Sequence, residues 1–355
     1  MAHLFVPGPT DVAPEILAAQ THPMIGHRSQ ACSDLFARIQ PRLRQVLQTG
    51  HRVYITASSG SGLQEAAVRN TVARRLLVCI GGAFAERWYE IALANGLVAD
   101  RLDVAWGEPH APEQVAQALQ RGYDALALVH NETSTGVENP LPAIARAART
   151  AAPDTLLLVD AVSSAGGVDL RTDEWGIDVL LTSSQKCFAL PPGLAFAAVS
   201  DRALERAATV PHRGWYFDFV LLEKYLLQNN TPATPAISLL YALDAQLDRI
   251  LAEGLPARFE RHARMAGLAQ AWAEARFALF PRAGFRSKTV TTVTNTRGID
   301  ILALSAHLAR AGMAIANGYG PLKGKTFRIG HMGEITPDDV STLLAEIDLF
   351  LEGKG

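Results

Sequence analysis

The sequence predicts an α/β protein in two parts: a large domain on a mostly parallel seven-stranded sheet, and a smaller α+β domain at the C-terminal end. Two observations carry this. Short, continuously apolar runs alternate with helical stretches from residue 52 to residue 199, as strands do when helices cover both faces of their sheet. After about residue 238 the texture changes to two long helical stretches, followed by a mixture of short strands and helices.

The elements follow in order. Residues 52–56 (RVYIT) read as a strand and 61–72 as a helix. Residues 76–80 (LLVCI) form a strand and 85–95 a helix. A strand over 98–104 leads to a helix opening near Pro112, and 125–130 (ALALVH) precedes a helix over 141–151. Residues 155–160 (TLLLVD), 178–182 (DVLLT) and 194–199 complete the seven strands. The helix expected over 238–252 carries Leu239, Leu240, Leu243, Leu247, Ile250 and Leu251 at helical spacing. A second helix spans 256–275. A strand at 290–294, a helix near 300–311, a strand at 327–329 and a last helix from Thr336 finish the chain. Thr336 followed by Pro337 is a helix-start signal. The large domain is expected over 15–240 and the small one over 241–355, with the N-terminal segment 1–14 packing near the small one. The long helix joins them, with no flexible linker.

Nearly half of the 355 residues are hydrophobic, ample for two cores. The net charge is −2 with Lys and Arg scattered, which argues against a nucleic-acid or anionic-membrane partner. Cys32, Cys79 and Cys187 show no CxxC spacing, so neither a disulfide framework nor a zinc site is expected. No secretory leader pattern or bilayer-length apolar run is visible. The expectation is a metal-free protein of the cytoplasm.

Four local signals carry chemistry. The first is Thr182-Ser183-Ser184-Gln185-Lys186, ahead of a Pro-Pro-Gly turn at 191–193. A lysine directly after a buried strand is costly to desolvate; placing it there lowers its pKa and yields an amine nucleophile. A strand-end lysine snorkelling to solvent is the other reading. The second is Asp160, at the end of TLLLVD. Loops at the carboxyl ends of parallel strands form the ligand crevice. An aspartate there suits a protonated pyridine nitrogen, and equally a helix cap or a Mg²⁺ site. The third is Ser58-Ser59-Gly60-Ser61-Gly62, between a strand and a helix, a phosphate cradle in type or a plain Gly/Ser loop. It matches neither GxxxxGK[ST] nor GxGxxG, which disfavours a nucleotide-dependent enzyme. The fourth is Arg328 inside a short apolar strand. It needs an anion, either a substrate carboxylate or a structural ion pair. A phosphate cradle, a ring-nitrogen partner, a Schiff-base lysine and a carboxylate clamp are together the parts for pyridoxal 5′-phosphate chemistry on amino acids.

The chain resembles the class V aminotransferases of fold type I, closest to the alanine–glyoxylate, serine–pyruvate and phosphoserine transaminase group. The resemblance covers nearly the whole chain. It rests on Pro7-Gly8-Pro9-Thr10, Met24-Ile25-Gly26-His27-Arg28-Ser29, Asn131-Glu132-Thr133-Ser134-Thr135-Gly136, Asp160-Ala161-Val162-Ser163-Ser164, Ser184-Gln185-Lys186, Asn230-Thr231-Pro232 and Phe327-Arg328-Ile329-Gly330. It implies that Lys186 holds pyridoxal 5′-phosphate as a Schiff base, that Asp160 pairs with the pyridine nitrogen and that Val162 packs on the ring. Ser61, Gly62 and Gln185 would bind the phosphate, and Thr133 would sit near the ring hydroxyl. Phe84 takes the ring-stacking position, where many relatives have Trp. Leu63 stands where some relatives place a polar residue near the phosphate. Asn230 and Thr231 would reach the neighbouring subunit's phosphate, which implies a homodimer with shared active sites. Arg328 would hold the substrate α-carboxylate, with Gly26 lining the substrate pocket. Amino transfer would follow ping-pong kinetics, with Lys186 as general base and acid.

His27 and Arg28 bear on the substrate. In phosphoserine transaminases a His-Arg pair at a matching place grips the substrate phosphate, but the same pair occurs in relatives acting on small uncharged amino acids; an interface ion pair is a third role. A small donor, serine or alanine, with glyoxylate or pyruvate is the expectation, and phosphoserine with 2-oxoglutarate the alternative. A cysteine desulfurase would need a thiolate late in the chain, and no cysteine follows Cys187. A non-catalytic relative is disfavoured by the joint presence of Asp160, Lys186 and Arg328.

Overall fold

The structure, a computed structural model, describes residues 3–353. The chain opens with β1 (His3–Phe5), α1 (Pro14–Ala19) and α2 (Gln30–Val46). Strand and helix then alternate through β2 (Arg52–Thr56), α3 (Gly60–Thr71), β3 (Arg75–Ile80), α4 (Ala83–Ala94), β4 (Val98–Asp103), α5 (Pro112–Leu119) and β5 (Ala125–Val129). A small hairpin, β6 (Asn131–Glu132) and β7 (Val137–Glu138), precedes α6 (Leu141–Ala151), β8 (Leu156–Asp160), β9 (Val179–Ser183) and β10 (Ala195–Val199). Next come α7 (Asp201–Thr209), α8 (Phe219–Leu226), α9 (Ile237–Glu253) and α10 (Leu255–Arg276). The C-terminal part holds β11 (Ala278–Leu279), β12 (Val290–Thr294), α11 (Ile301–Arg310), β13 (Met313–Asn317), β14 (Thr326–Gly330) and α12 (Pro337–Leu351).

The large sheet runs β2-β10-β9-β8-β5-β3-β4. Only β10 is antiparallel to its neighbours; the other pairings are parallel. Side chains alternate across it with the period of two that strands impose. Leu126, Leu128, Leu157 and Val159 enter one core with residues of α2, α6 and α9. Ala125, Ala127, Leu156 and Leu158 enter the other with residues of α3, α4 and α7. Burial on both faces is why these strands are apolar throughout. It also leaves their carboxyl ends as the place where polar residues gather.

The smaller sheet runs β1-β13-β14-β12-β11. β1 joins it parallel to β13, so the N-terminal segment contributes a strand to the C-terminal part; Met1 and Ala2 of that segment, and Lys354 and Gly355 of the expected small domain, lie outside the described residues. Phe327 and Ile329 pack with Met265, Leu304 and Leu343 from three helices. A capping box starts α12: Asp339 N–H donates to Thr336 Oγ1 at 3.2 Å, and Thr336 N–H to Asp339 Oδ2 at 2.9 Å.

A division between residues 240 and 241 cuts α9 in two, yet Leu240, Leu243, Leu247 and Ile250 all sit in the large-domain core. After α9 the chain turns at Gly254, whose φ is +81°, into α10, and Leu255 still packs against the same core. The unpredicted α2 buries Cys32, Leu35, Phe36, Ile39, Leu43 and Val46 on one face. Pro41 lies inside that helix, where a proline ordinarily reads as a break. Among the described residues, no helix is long and apolar enough to cross a membrane.

Candidate active site

The carboxyl ends of β5, β8 and β9 deliver Thr133, Asp160 and Lys186 to one cavity of about 220 Å³. A dry cavity of about 150 Å³ already accepts a benzene ring, so an aromatic heterocycle has room here. Ser61 and Gln185 line it, as do Phe84 and Val162.

Lys186 follows β9 in the loop to β10 and is 8% exposed. Its carbonyl accepts from Ala189 N–H at 2.9 Å and from Thr10 Oγ1 at 3.2 Å. Its Nζ donates to the Pro7 carbonyl. The next residue, Gly8, has φ +85°, and a Cβ there would fall 2.5 Å from Lys186 Cδ and 2.7 Å from Nζ. Only glycine fits both the conformation and the approach. Burial, reinforced by the Arg328 and Arg87 charges, pulls the amine down to about 8. Snorkelling is excluded: the nitrogen points inward.

Asp160 ends β8. Its Oδ1 accepts from Val162 N–H and its Oδ2 from Gln64 Nε2, each at 2.8 Å. Burial pushes the carboxyl up to about 6, with the Glu132 charge adding and the Val162 N–H opposing. Thr133 Oγ1 lies 2.6 Å from Ser163 Oγ. Ser183 Oγ, Gln64 Oε1 and Asn131 Oδ1 are buried without a hydrogen-bond partner on the residues that line this cavity. Native interiors seldom leave such atoms unpaired. Two of these atoms are amide oxygens that would accept from a polar ligand, and the Ser183 hydroxyl could donate to an anionic one; a polar heterocycle bearing a ring hydroxyl, a protonated ring nitrogen and a phosphate fits such a set.

Arg328, 8% exposed on β14, does not itself line the cavity but holds the carbonyl of Thr133, which does. It donates from Nε to the Asn317 carbonyl at 3.1 Å and from Nη1 to the Thr133 carbonyl at 3.3 Å, and its guanidinium lies 5.5 Å from the Tyr319 ring centroid. Among the described residues it has no ion-pair partner, so a structural salt bridge does not account for it. Burial lowers its pKa.

Other predicted residues lie elsewhere. Gly62 and Leu63 do not line the cavity. The Gly62 N–H is spent on the Ser59 carbonyl at 3.0 Å, and Leu63, turned inward by the helix, is fully buried in the core. Arg28 does not line the cavity; it binds Asn230 Oδ1 at 2.5 Å and the carbonyls of Thr231 and Pro232 at 2.6 and 3.0 Å. Gly26 and His27 share its loop. Thus Gly26, His27, Arg28, Asn230 and Thr231 form a second, outer group.

Sequence reading missed Gln64, Arg87, Glu132 and Tyr319. Glu132 caps α4, accepting from Ala85 N–H at 2.9 Å and Phe84 N–H at 3.3 Å. A signal existed for two of them. Gln64 is three residues after Ser61 and Arg87 three after Phe84, on one face of their helices. Cys187 is fully buried, and burial pushes its thiol up to about 11, the reverse of what a nucleophilic thiolate needs.

Residues 15–326 match the family described as aminotransferase class-V. An uncharacterized aminotransferase of Methanocaldococcus jannaschii is 38% identical, with 99% of this chain and 93% of that protein covered. The serine–glyoxylate aminotransferase of Hyphomicrobium methylovorum is 33% identical, covering 99% and 90%. The solved structure of alanine–glyoxylate aminotransferase from Nostoc sp. matches with a TM-score of 0.93 at 32% identity, covering 99% of this chain and 95% of that one. The chain is a transaminase of the fold type I architecture and belongs to the class-V aminotransferase family.

Proposed function

We propose that this transaminase carries pyridoxal 5′-phosphate on Lys186 and moves the amino group of serine or alanine to a 2-oxo acid such as glyoxylate or pyruvate. The observation behind it is a buried lysine amine of depressed pKa sharing a ring-sized cavity with a buried carboxylate. When bound, the cofactor supplies an aldehyde for condensation with amines and a ring that draws electrons from the bond to Cα. Lys186 is the amine for that condensation. Lys186 Nζ would also take the proton from the substrate Cα and give it back. Asp160, held by Val162 and Gln64, would accept a hydrogen bond from the ring nitrogen. Arg328 would fix the substrate carboxylate and so orient Cα.

We further infer a homodimer whose partner subunits complete the site. The outer group does not line its own cavity, and exposed apolar side chains lie near it in the chain: Met24 at 64% and Leu227 at 77%. Such side chains suit a protein interface. The Arg28 guanidinium is already engaged by Asn230, Thr231 and Pro232, which favours a small uncharged donor over phosphoserine. Three free, buried cysteines suit the cytoplasm.

Mixing the purified enzyme with serine, alanine, aspartate and phosphoserine in turn, and following conversion of the bound cofactor to its amine form, tests the substrate. Phosphoserine turning over faster than serine would overturn the choice. For Arg328→Gln, kcat/KM for serine is expected to fall about 10²- to 10³-fold, with little change for ethanolamine, which lacks the carboxylate. Equal losses on both would remove Arg328 from this role.

A further inference from the structure

Arg87 is the guanidinium that lines this cavity. Its Nη1 donates to Ser61 Oγ at 3.0 Å, and its guanidinium lies 5.1 Å from the Phe84 ring centroid. Phe84 lies 5.4 Å from Tyr319, against which Arg328 rests. Two guanidiniums therefore flank one aromatic pair, and neither has an ion-pair partner among the described residues. A guanidinium without an ion-pair partner on the wall of a ring-sized cavity suits a ligand bearing an anionic group.

The position of Arg87 is electrostatically costly as it stands. Ser61 lies in the first turn of α3, and the Ser59 side chain makes no capping hydrogen bond there. That helix end carries roughly half a positive charge and unsatisfied N–H groups. A guanidinium beside it is repelled unless an anion lies between them. Ser183 Oγ, fully buried and unpartnered, opens onto the same end, 3.9 Å from where a Gly60 Cβ would stand. Gly60 has no room for that Cβ, which would fall 2.5 Å from Val162 Cγ2. A helix end, a guanidinium and two hydroxyls converge on one spot. Gly62 and Leu63 contribute no polar group to it.

We propose that Arg87 is a direct ligand of the cofactor's phosphoryl group, gripping it by charge-assisted hydrogen bonds opposite the α3 N-terminus. The inference rests on the cofactor assignment above. Its consequence is selectivity: Arg87 makes this chain prefer pyridoxal phosphate to pyridoxal.

The test titrates the cofactor-free full chain with pyridoxal phosphate and, separately, with pyridoxal, following protein fluorescence and visible absorption. For Arg87→Gln, affinity for pyridoxal phosphate is expected to fall about 10- to 100-fold, the effect of losing a hydrogen bond to a charged group, while affinity for pyridoxal holds. Arg87→Lys should recover part of the loss. Equal losses for both ligands would overturn the proposal and leave Arg87 a support for Phe84. Unchanged affinity for both would overturn it outright. If the unaltered chain forms no borohydride-fixable adduct, the cofactor assignment fails first and Arg87 with it. If that adduct forms but the preference is unmoved in the variant, only the role of Arg87 fails.

Discussion

Lys186→Ala is expected to lower transamination by roughly four orders of magnitude, the upper end of what a positioned general acid–base supplies. The variant loses two functions at once. It has no amine to condense with the cofactor aldehyde, and no base to reach the substrate Cα proton. Borohydride should no longer fix cofactor to the chain, and the visible band of the covalently held cofactor should vanish. Folding is not at risk, because a buried amine of depressed pKa costs stability. A neutral methyl leaves the Pro7 carbonyl as the one group losing its partner. Small added amines should restore some turnover, since the cavity space survives. Full turnover in this variant would remove the lysine from the mechanism. In the unaltered chain, the rate of covalent capture should rise with pH through about 8, as the amine loses its proton.

Asp160→Asn is expected to lower kcat by about 10²- to 10³-fold, the cost of removing one preorganised electrostatic contact. At the same time it should stabilise the cofactor-free chain. The carboxyl is raised from 3.8 to about 6 by burial. A group whose folded pKa lies above its unfolded one is stabilising only while protonated. Below pH 4 both states hold the proton and no difference arises. Between pH 4 and 6 the penalty grows, and above 6 it levels at about 3 kcal/mol. Denaturant melts should therefore show the variant equal to the parent near pH 3.5 and up to about 3 kcal/mol more stable at pH 8. The neutral amide keeps the Val162 bond. Gln64 can turn its amide so that the unpartnered Oε1 accepts from the new Asn. A stability gain that did not depend on pH would contradict the buried charge as its cause. Stability bought by losing activity is the ordinary trade at such sites.

Much of this was legible in the sequence. The inner strands were visible because burial on both faces makes them almost uniformly apolar, unlike the exposed edge strand β4 (VADRLD), and Lys186 and Asp160 stood out as polar residues at the ends of inner strands. Arg328 was legible for the same reason, a charge in an apolar strand. What escaped depends on distance in space. Gln64 reaches Asp160 across 96 positions of sequence, and Arg87 reaches Ser61 across 26. No local pattern encodes such meetings. Leu63 misled because a one-residue step along a helix turns a side chain by about 100°, from cavity to core. The outer group was identified through resemblance alone.

The strand His3–Phe5 is hydrogen-bonded into the C-terminal sheet, and Pro7 and Gly8 touch the reactive lysine. Val6 alone separates the two attachments. Any displacement of that sheet must therefore alter the surroundings of the nucleophile, so tags fused at the front of the chain are mechanistic perturbations as well as handles.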